Sequence, residues 1–503
     1  MGSICAYSIT NNRAPPGKMR EDNKKMARKP ILLLAALAMI AAACGGGETT
    51  TPETVVVTSI VTETSTVTEI VPGQTITFWS TETQPERLKI TKGIIDRFTA
   101  ETGVGVVLVP VDEGGLSSIM TSAAATGILP EVIFHPIDFT IGWYNEGLLD
   151  SDAASDVIAT LGEETFAQGA IDLARVDGQP VAVPSDGWGQ LLLYRKDLFD
   201  AAGLAAPTTF DAIETAAAAL HDPANNFYGI TAATDGGAVF TQQTFEHFAL
   251  ANGCQLTDSS GNVTVGSSNC SEAVGFYTDL MANYSPGGVQ TVVSTRATYF
   301  AGQAAMIVWS PFILDEMAGL RDAAFPACAE CAADPAYLAK NTGIIPAFSG
   351  PSGEPAQYGQ VSYMGIGTGS KTDLAKMFLE FWFTEGYLDW LSTSVEGKFP
   401  MRRGTADNPT AFVDGWKALE TGVDRKAALS EFYSTEVIDL LIAGSASFDR
   451  WGFAQGQGQL VSAVYGSLPV PQAIASILEG TMTLDEAMAE ILARVQEEKD
   501  LLG

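Results

Sequence analysis

Residues 75–111 read TITFWSTETQPERLKITKGIIDRFTAETGVGVVLVPV and contain the pattern that decides the fold class. Its two ends, 75–80 and 104–111, have the apolar content of short buried strands. The segment between them, 86–100, places its apolar side chains largely on one helical face: Leu88, Ile90, Ile94, Ile95 and Phe98. Two strands joined by a helix pair in parallel through a right-handed crossover. The stretch therefore predicts an α/β fold.

The rest of the chain continues this alternation of strands and helices. Further strands are predicted at 131–134, 181–184, 191–194, 305–308 and 363–366. Two amphipathic helices follow, with apolar side chains at helical spacing in 374–382 and 484–495. Thr483 and Glu486 form the pattern of a capping box at the start of the second helix. We interpret both apolar stripes as core packing.

The composition and the net charge exclude some classes of protein. The chain has 503 residues, of which 46% are hydrophobic, and this content excludes global disorder. Its length predicts roughly two to four domains or lobes. With 28 basic and 59 acidic residues, the formal net charge is −31. Nucleic acid is therefore an improbable partner, because the phosphate backbone selects basic surfaces.

The first 73 residues differ from the rest. Seven basic and two acidic residues precede Cys44, so the remaining chain carries −36. A run of 13 apolar residues, 31–43, ends in AAAC and resembles a bacterial lipobox. We predict an upstream extension and lipoprotein signal peptide at 1–43 and lipidation of Cys44, and a Thr-rich tether at 44–73. An ordinary signal peptide with a chance cysteine, and an edge strand instead of a tether, are the alternatives.

Four cysteines remain once Cys5 in the leader and Cys44 are set aside. Four cysteines allow three pairings, and the pairing that is local in sequence joins Cys254 to Cys270 and Cys328 to Cys331. Export favours disulfides. A redox or metal role for the Cys328–Cys331 motif is the alternative, but no second CxxC and no nearby histidine supplies further zinc ligands.

Motifs for catalysis and for nucleotide binding are missing from the sequence. It contains no GxSxG, HExxH, Walker A or GxGxxG motif, and only three histidines. We therefore expect no enzyme, no cofactor and no metal site, although paired carboxylates occur by chance in so acidic a chain.

A set of short blocks from about residue 75 to residue 499 resembles the family 1 extracellular solute-binding proteins of ABC importers. The blocks, in the family's order, are GILPEVIF at 127–134, GWYNEGLL at 142–149, VPSDGW at 183–188, LYRKDLFDAAGL at 193–204, PTTF at 207–210, FAGQAAM at 300–306, GKFPMR at 397–402 and PVPQ at 469–472. Each block alone is weak evidence. The ordered set is specific.

The resemblance implies a two-lobed periplasmic-binding-protein fold of type II, maltose-binding-protein-like, with a hinge that the chain crosses several times. By the family's layout, lobe one takes 74–183 and 344–384, and lobe two takes 184–343 and 385–503. Crossings are expected near Pro184, Gly343 and Thr384. The implied partners are a small solute and the transmembrane subunits of an ABC permease. We expect a monomer, anchored by lipid to the outer face of the cytoplasmic membrane.

Most candidate ligand-binding residues follow strand ends, where open α/β sheets bind their ligands, and Gln243 and Arg402 are added as groups able to bind hydroxyls. They combine carboxylates, amides, an arginine and aromatic rings: Glu82, His135, Asp138, Asp186, Trp188, Gln243, Trp309, Phe312, Tyr363 and Arg402. A satisfied structural histidine is the alternative for His135, and a core position is the alternative for each single aromatic residue.

This combination fits a mono- or oligosaccharide, whose apolar ring faces stack on aromatic side chains while its hydroxyls bind polar groups. A polyamine or another cationic solute is the alternative, because aromatic rings and carboxylates also bind cations. A secreted glycoside hydrolase is a third reading, and it requires two carboxylates about 5–10 Å apart. Incubation with oligosaccharides separates an enzyme from a receptor.

Overall fold

A computed structural model describes residues 74–369, 371–446 and 448–502. The predicted leader, the lipidated Cys44 and the tether lie outside the described residues. Among these residues, no single helix is long and apolar enough to cross a membrane; one pair of helices bent by 41°, Gly458–Ser467 and Pro469–Leu478, meets the criteria of length and composition only.

Thirteen strands and nineteen helices are numbered here along the chain. The strands are β1 Thr75–Ser80, β2 Gly105–Pro110, β3 Val132–Pro136, β4 Arg175–Val176, β5 Gln179–Pro180, β6 Val183–Gly189, β7 Leu191–Arg195, β8 Met306–Trp309, β9 Thr342–Ile345, β10 Gly359–Ile366, β11 Phe399–Pro400, β12 Glu420–Thr421 and β13 Ala427–Ala428. The helices are α1 Pro85–Thr102, α2 Leu116–Thr126, α3 Ile137–Asn145, α4 Ser151–Leu161, α5 Gln168–Leu173, α6 Lys196–Ala202, α7 Phe210–Leu220, α8 Val239–Ala251, α9 Ser268–Tyr284, α10 Val292–Phe300, α11 Ile313–Met317, α12 Tyr337–Asn341, α13 Thr372–Thr384, α14 Tyr387–Leu391, α15 Ala411–Lys417, α16 Thr435–Gly444, α17 Gly458–Ser467, α18 Pro469–Leu478 and α19 Leu484–Leu502.

The larger sheet has six strands in the order β11-β6-β10-β3-β1-β2. Strand β1 pairs in parallel with β2 and with β3, which confirms the β-α-β unit predicted from residues 75–111. Strand β10 pairs antiparallel with both β3 and β6. Strands β1, β2, β3 and β6 therefore point the same way, and their carboxyl ends lie at one edge of the sheet.

The smaller sheet has three strands in the order β8-β7-β9. Its central strand β7 begins at Leu191, two residues after β6 ends in the larger sheet. The chain returns to the larger sheet between β9 and β10, and it leaves the larger sheet again after β11. Two sheets joined by three chain passages make the two lobes of the fold.

The exact lobe boundaries remain a prediction. Strand membership favours later passages than we expected, at about residue 190 instead of Pro184, within 346–358 instead of at Gly343, and after Pro400 instead of at Thr384. The reason is that β6 extends to Gly189 and keeps its pairing with the larger sheet along its whole length.

The three helices predicted most clearly are present as α1, α13 and α19. Thr483 and Glu486 exchange the two hydrogen bonds of a capping box at the start of α19. Two side chains of the predicted core stripes are nevertheless exposed, Met377 by 42% and Leu492 by 39%. Each lies at the margin of its apolar face, where the neighbouring elements do not cover it.

Both predicted disulfides are present. Cys254 is bonded to Cys270, which ties the segment after α8 to the first turn of α9, and Cys328 is bonded to Cys331 across a short buried turn. The sulfur atoms of Cys328 and Cys331 are bonded to each other, as the disulfide prediction requires. A redox role for this CxxC pair stays an alternative, because such a disulfide is also the oxidised form of a dithiol.

Candidate functional site

One edge of the larger sheet gathers most of the charged side chains that the sequence placed at strand ends. Strands β1 and β3 end just before Glu82 and Asp138. Asp186 lies within β6 but reaches the same level, because its partner Ser362 on β10 also pairs with Pro136, the last residue of β3. Gln360 at the start of β10 and Lys398 just before β11 join them, because both strands run in the opposite direction. Parallel topology thus builds the site that the rule for open sheets predicts.

Lys398 holds two of these carboxylates. Its Nζ lies 2.7 Å from Glu82 Oε1 and 3.5 Å from Asp186 Oδ2, and it lies 4.1 Å from the centre of the Trp390 ring. Arg87 binds the other oxygen of Glu82 at 2.7 Å. Burial by itself raises the pKa of Glu82, but Lys398 and Arg87 outweigh it and lower the pKa to about 2.

A second buried group surrounds Arg450, whose side chain has no exposed surface. Its guanidinium lies 2.6 Å from Asp138 Oδ1 on α3 and 3.1 Å from Glu246 Oε1 on α8. It also donates to Gln360 Oε1 at 2.8 Å, and the ring of Tyr358 lies 4.7 Å from the guanidinium carbon. Since α3 packs beside the larger sheet and α8 belongs to the other lobe, Arg450 bridges the two lobes.

Two half-buried aromatic rings meet across the lobes. Trp188 on β6 lies 6.3 Å from Phe312, which follows β8 of the smaller sheet, in an edge-to-face arrangement. The Arg87 guanidinium carbon is 5.9 Å from the Phe312 ring. These two residues keep part of their surface accessible between the lobes, while the charged residues behind them are buried.

Glu113, in the loop after β2, is an exposed carboxyl group at the same edge. Desolvation by the surrounding protein raises its pKa, the charges of Asp138 and Glu82 raise it further, and Lys398 opposes them, giving a pKa of about 7. No ion pair joins Glu113 to a basic residue in the described ranges.

Three predicted site residues lie in the core of the larger lobe instead of at this edge. His135 is fully buried in β3, and burial lowers its pKa to about 4. Tyr363, in the middle of β10, donates to the carbonyl of Ala170 at 2.6 Å. Arg402 is buried and donates to carbonyl groups of α4 and α13. Their hydrogen bonds are made with protein groups, and a ligand-binding role for each of the three remains a prediction.

Two others occupy the smaller lobe. Trp309 ends β8, is 7% exposed and packs on Phe240 at 5.6 Å, with Arg296 over its ring. Gln243 is half-buried on α8, one residue after the fully buried Gln242. Whether either contacts a ligand remains a prediction. Asp186 and Trp188 lie within β6, because this strand runs from Val183 to Gly189 and not over 181–184.

Four members of this site were not predicted from the sequence: Arg87, Gln360, Lys398 and Arg450. Lys398 lies in the block GKFPMR that supported the resemblance, so its position offered a signal. Arg450 and Gln360 offered none, because their roles depend on partners 312 and 222 residues away along the chain.

We expect the acid stability of the protein to depend on Glu82. Its pKa is lower in the folded state than in the unfolded chain, so its contribution is complete above about pH 4.5 and is lost as the pH falls towards 2. The shift corresponds to about 3 kcal/mol. The free energies of unfolding of the wild type and of Glu82→Gln, measured with urea, should differ most at neutral pH and become equal in acid. The same substitution at the exposed neighbour Glu86 should leave the curve unchanged; equal curves for wild type and Glu82→Gln would contradict the assignment.

Comparison with known proteins agrees with this architecture. A family model described as bacterial extracellular solute-binding protein matches residues 82–388. The putative ABC transporter periplasmic-binding protein YcjN of Escherichia coli K12 is 29% identical over 401 residues, which cover 78% of this chain and 87% of that protein.

Solved structures match the fold at low sequence identity. The GacH receptor of Streptomyces glaucescens, solved unliganded and with acarbose, is 18% identical with a TM-score of 0.63, covering 84% of this chain and 98% of its own. A solute-binding protein from Thermotoga lettingae bound with alpha-D-tagatose is 20% identical with a TM-score of 0.62, covering 84% and 99%. These likenesses confirm the two-lobed fold. Because the family model spans more than half of the sequence, the chain belongs to the bacterial extracellular solute-binding protein family.

Proposed function

We propose that this protein is the extracytoplasmic receptor of an ABC importer and binds a mono- or oligosaccharide between its two lobes. The observation that carries the proposal is the pair formed by Trp188, on the larger sheet, and Phe312, which follows β8 of the smaller sheet; their ring centres are 6.3 Å apart. A ligand that contacts both rings favours closure of the lobes, because it gains contacts that only the closed form offers.

The chemistry of the edge suits a neutral, hydroxyl-rich ligand. Glu82, Asp138 and Asp186 each lie within 3.5 Å of a basic side chain, so their charges are already compensated. Carboxylates held in this way keep lone pairs that accept hydrogen bonds from hydroxyl groups. The apolar faces of a sugar ring would stack on Trp188 and Phe312.

A cationic solute such as a polyamine is the second candidate, and Glu113 is the observation that favours it. Its carboxyl group has no basic partner among the described residues and faces Asp138 and Glu82. A ligand ammonium group beside Glu113 would supply the missing positive charge. The compensated state of the other three carboxylates still favours the sugar.

The location and partners of the receptor form part of the same proposal. A lipid on Cys44 and the Thr-rich tether at 44–73 would hold the folded body at the outer face of the cytoplasmic membrane, where a permease receives the solute. Function as a monomer and the absence of catalysis belong to the proposal as well.

A thermal-shift screen with maltose, tagatose, ribitol and spermidine tests the proposal. A ligand that binds only the folded state raises the melting temperature, by an amount set by its concentration relative to the dissociation constant. We expect one of the sugars or the polyol to do so and spermidine to do less. Unchanged maltose after long incubation would separate the receptor from a glycoside hydrolase. A shift with spermidine alone would favour the second candidate.

Replacing Trp188 with Ala should weaken binding of the solute found in this screen about thirtyfold, because loss of a central aromatic contact costs about 2 kcal/mol. Isothermal titration calorimetry measures the change. Trp79→Ala is the matched control, since Trp79 is also half-buried in the larger sheet but packs on a separate apolar cluster. The control should keep wild-type affinity. Wild-type affinity in Trp188→Ala, with an intact fold by circular dichroism, would place the site elsewhere.

A further inference from the structure

A cavity of about 390 Å³ lies beside the functional site, between α1 of the larger lobe and the segment that follows α11. The segment 392–396 and the turn between β12 and β13 complete its walls. Its size falls in the range of cavities that hold small molecules. Most of its lining residues are polar or charged by type, Ile90 and Val423 add apolar surface, and neither Trp188 nor Phe312 is part of it.

The inner end of the cavity carries an excess of buried carboxyl groups. Asp315 has no exposed surface; its Oδ2 lies 3.3 Å from Arg321, while its Oδ1 accepts no hydrogen bond within the described part of the chain. Glu396 accepts hydrogen bonds from Ser394 and Thr421. A buried carboxyl oxygen without a partner is costly, and it marks the place where a donor is missing.

The charges around Asp315 indicate which kind of hydrogen-bond donor a ligand would need to supply. Burial, Glu396 and Glu316 raise the pKa of Asp315 and Arg321 opposes them, which gives a pKa of about 8. The other ionisable group that faces it is Tyr433. The site therefore holds a proton at neutral pH, and a ligand cation could take the place of that proton.

The exposed side of the cavity carries charges of both signs, because Glu86 is exposed there beside two lysines. Lys89 on α1 and Lys426 near β13 are exposed, and neither makes a salt bridge in the ranges that the structure describes. Two lysines without salt bridges at one opening are unexpected, because the chain has a net charge of −31. They supply an attractive position for an anionic group.

We infer that this cavity binds a small zwitterion of the amino-acid class, with its ammonium group against Asp315 and its carboxylate between Lys89 and Lys426. The ligand arrives with its own ammonium proton, and the carboxyl group of Asp315 releases its proton to solvent when the ion pair forms. The inference goes beyond the proposed function and needs no sugar in the cleft between the lobes.

Two zwitterions of different length, L-alanine and 4-aminobutanoate, are the probes, with butylamine and butanoate as analogues that each lack one charge. Isothermal titration calorimetry at pH 7, in buffers of different ionisation enthalpy, measures affinity and proton release together. We expect at least one zwitterion to bind about tenfold or more tightly than either analogue, with release of close to one proton. No binding of either zwitterion up to about 10 mM, or equal affinity for the analogues, would overturn the inference.

Asp315→Asn is the decisive variant, because an amide resembles the protonated carboxyl group in size but cannot ionise. It should lose about tenfold or more in affinity for the zwitterion and abolish proton release. Lys89→Gln with Lys426→Gln should also weaken binding, whereas Lys417→Gln, on the exposed pair with Asp439, should not. Trp188→Ala should bind the zwitterion normally, so that failure of the sugar proposal and failure of this one are separable. Wild-type affinity in Asp315→Asn would refute the site.

Discussion

Replacing Arg450 with Met should destabilise the folded protein by about 3–5 kcal/mol, because it leaves two buried carboxylates without their cation. Glu246 has no exposed surface, and Asp138 keeps only 11% of its side chain accessible. Met retains the apolar volume, so the loss reports the charge and its hydrogen bonds. Urea unfolding followed by fluorescence and by circular dichroism measures the change, and coincident transitions are required before the two lobes are treated as one unit.

The matched control is Arg97→Met. Arg97 binds Asp389 at 2.6 Å, but both side chains are about half exposed, at 48% and 50%. Such a pair contributes at most about 1 kcal/mol. Adding Glu246→Gln to Arg450→Met should recover part of the loss, since the stranded charge is then removed. If Arg450→Met and Arg97→Met had equal effects, the buried bridge between the lobes would not stabilise the fold.

The fold was predictable where local pattern and topology agree. The β-α-β unit at 75–111, the strand from Leu191 and helix α19 with its capping box all follow from apolar periodicity and local hydrogen bonding. The end of β6 was not predictable, because Ser185, Asp186 and Gly187 lack the apolar pattern of a strand. Pairing with β10 and β11 holds them in extended conformation, and those partners are distant in sequence.

The candidate site was predictable only in part, for a related reason. Strand order brings Glu82, Asp138 and Asp186 to one edge, so their types and positions sufficed to select them. His135 and Tyr363 have equally suggestive positions, but both faces of β3 are covered and β10 is buried along almost its whole length, so these two side chains lie in the core. The cations that complete the site come from segments whose approach depends on the packing of the whole chain.

Replacing Lys398 with Met should cost about 3 kcal/mol or more, because one ammonium group, 3% exposed, serves both Glu82 and Asp186. The pKa of Glu82 should also rise, since Lys398 makes the largest contribution that lowers it. The pH at which acid destabilises the protein should therefore move upwards relative to wild type.

Lys417→Met is the matched control for this prediction. Lys417 approaches Asp439 to 2.6 Å, closer than Lys398 approaches either partner, yet the two side chains are 35% and 53% exposed. By distance alone this ion pair would be expected to stabilise the fold most, but because it is exposed we expect it to contribute least, with a loss of at most about 1 kcal/mol on substitution.

Asp186→Asn should restore part of the stability lost in Lys398→Met. In the wild-type background the same substitution should lower stability, because it removes a partner of Lys398 and of the Trp390 ring nitrogen. If Lys398→Met were no more harmful than Lys417→Met, and Asp186→Asn brought no rescue, the charges at this edge would be solvated instead of mutually compensated. A neutral solute would then no longer be favoured over a cation, because that preference depends on carboxylates whose charges the protein has already neutralised.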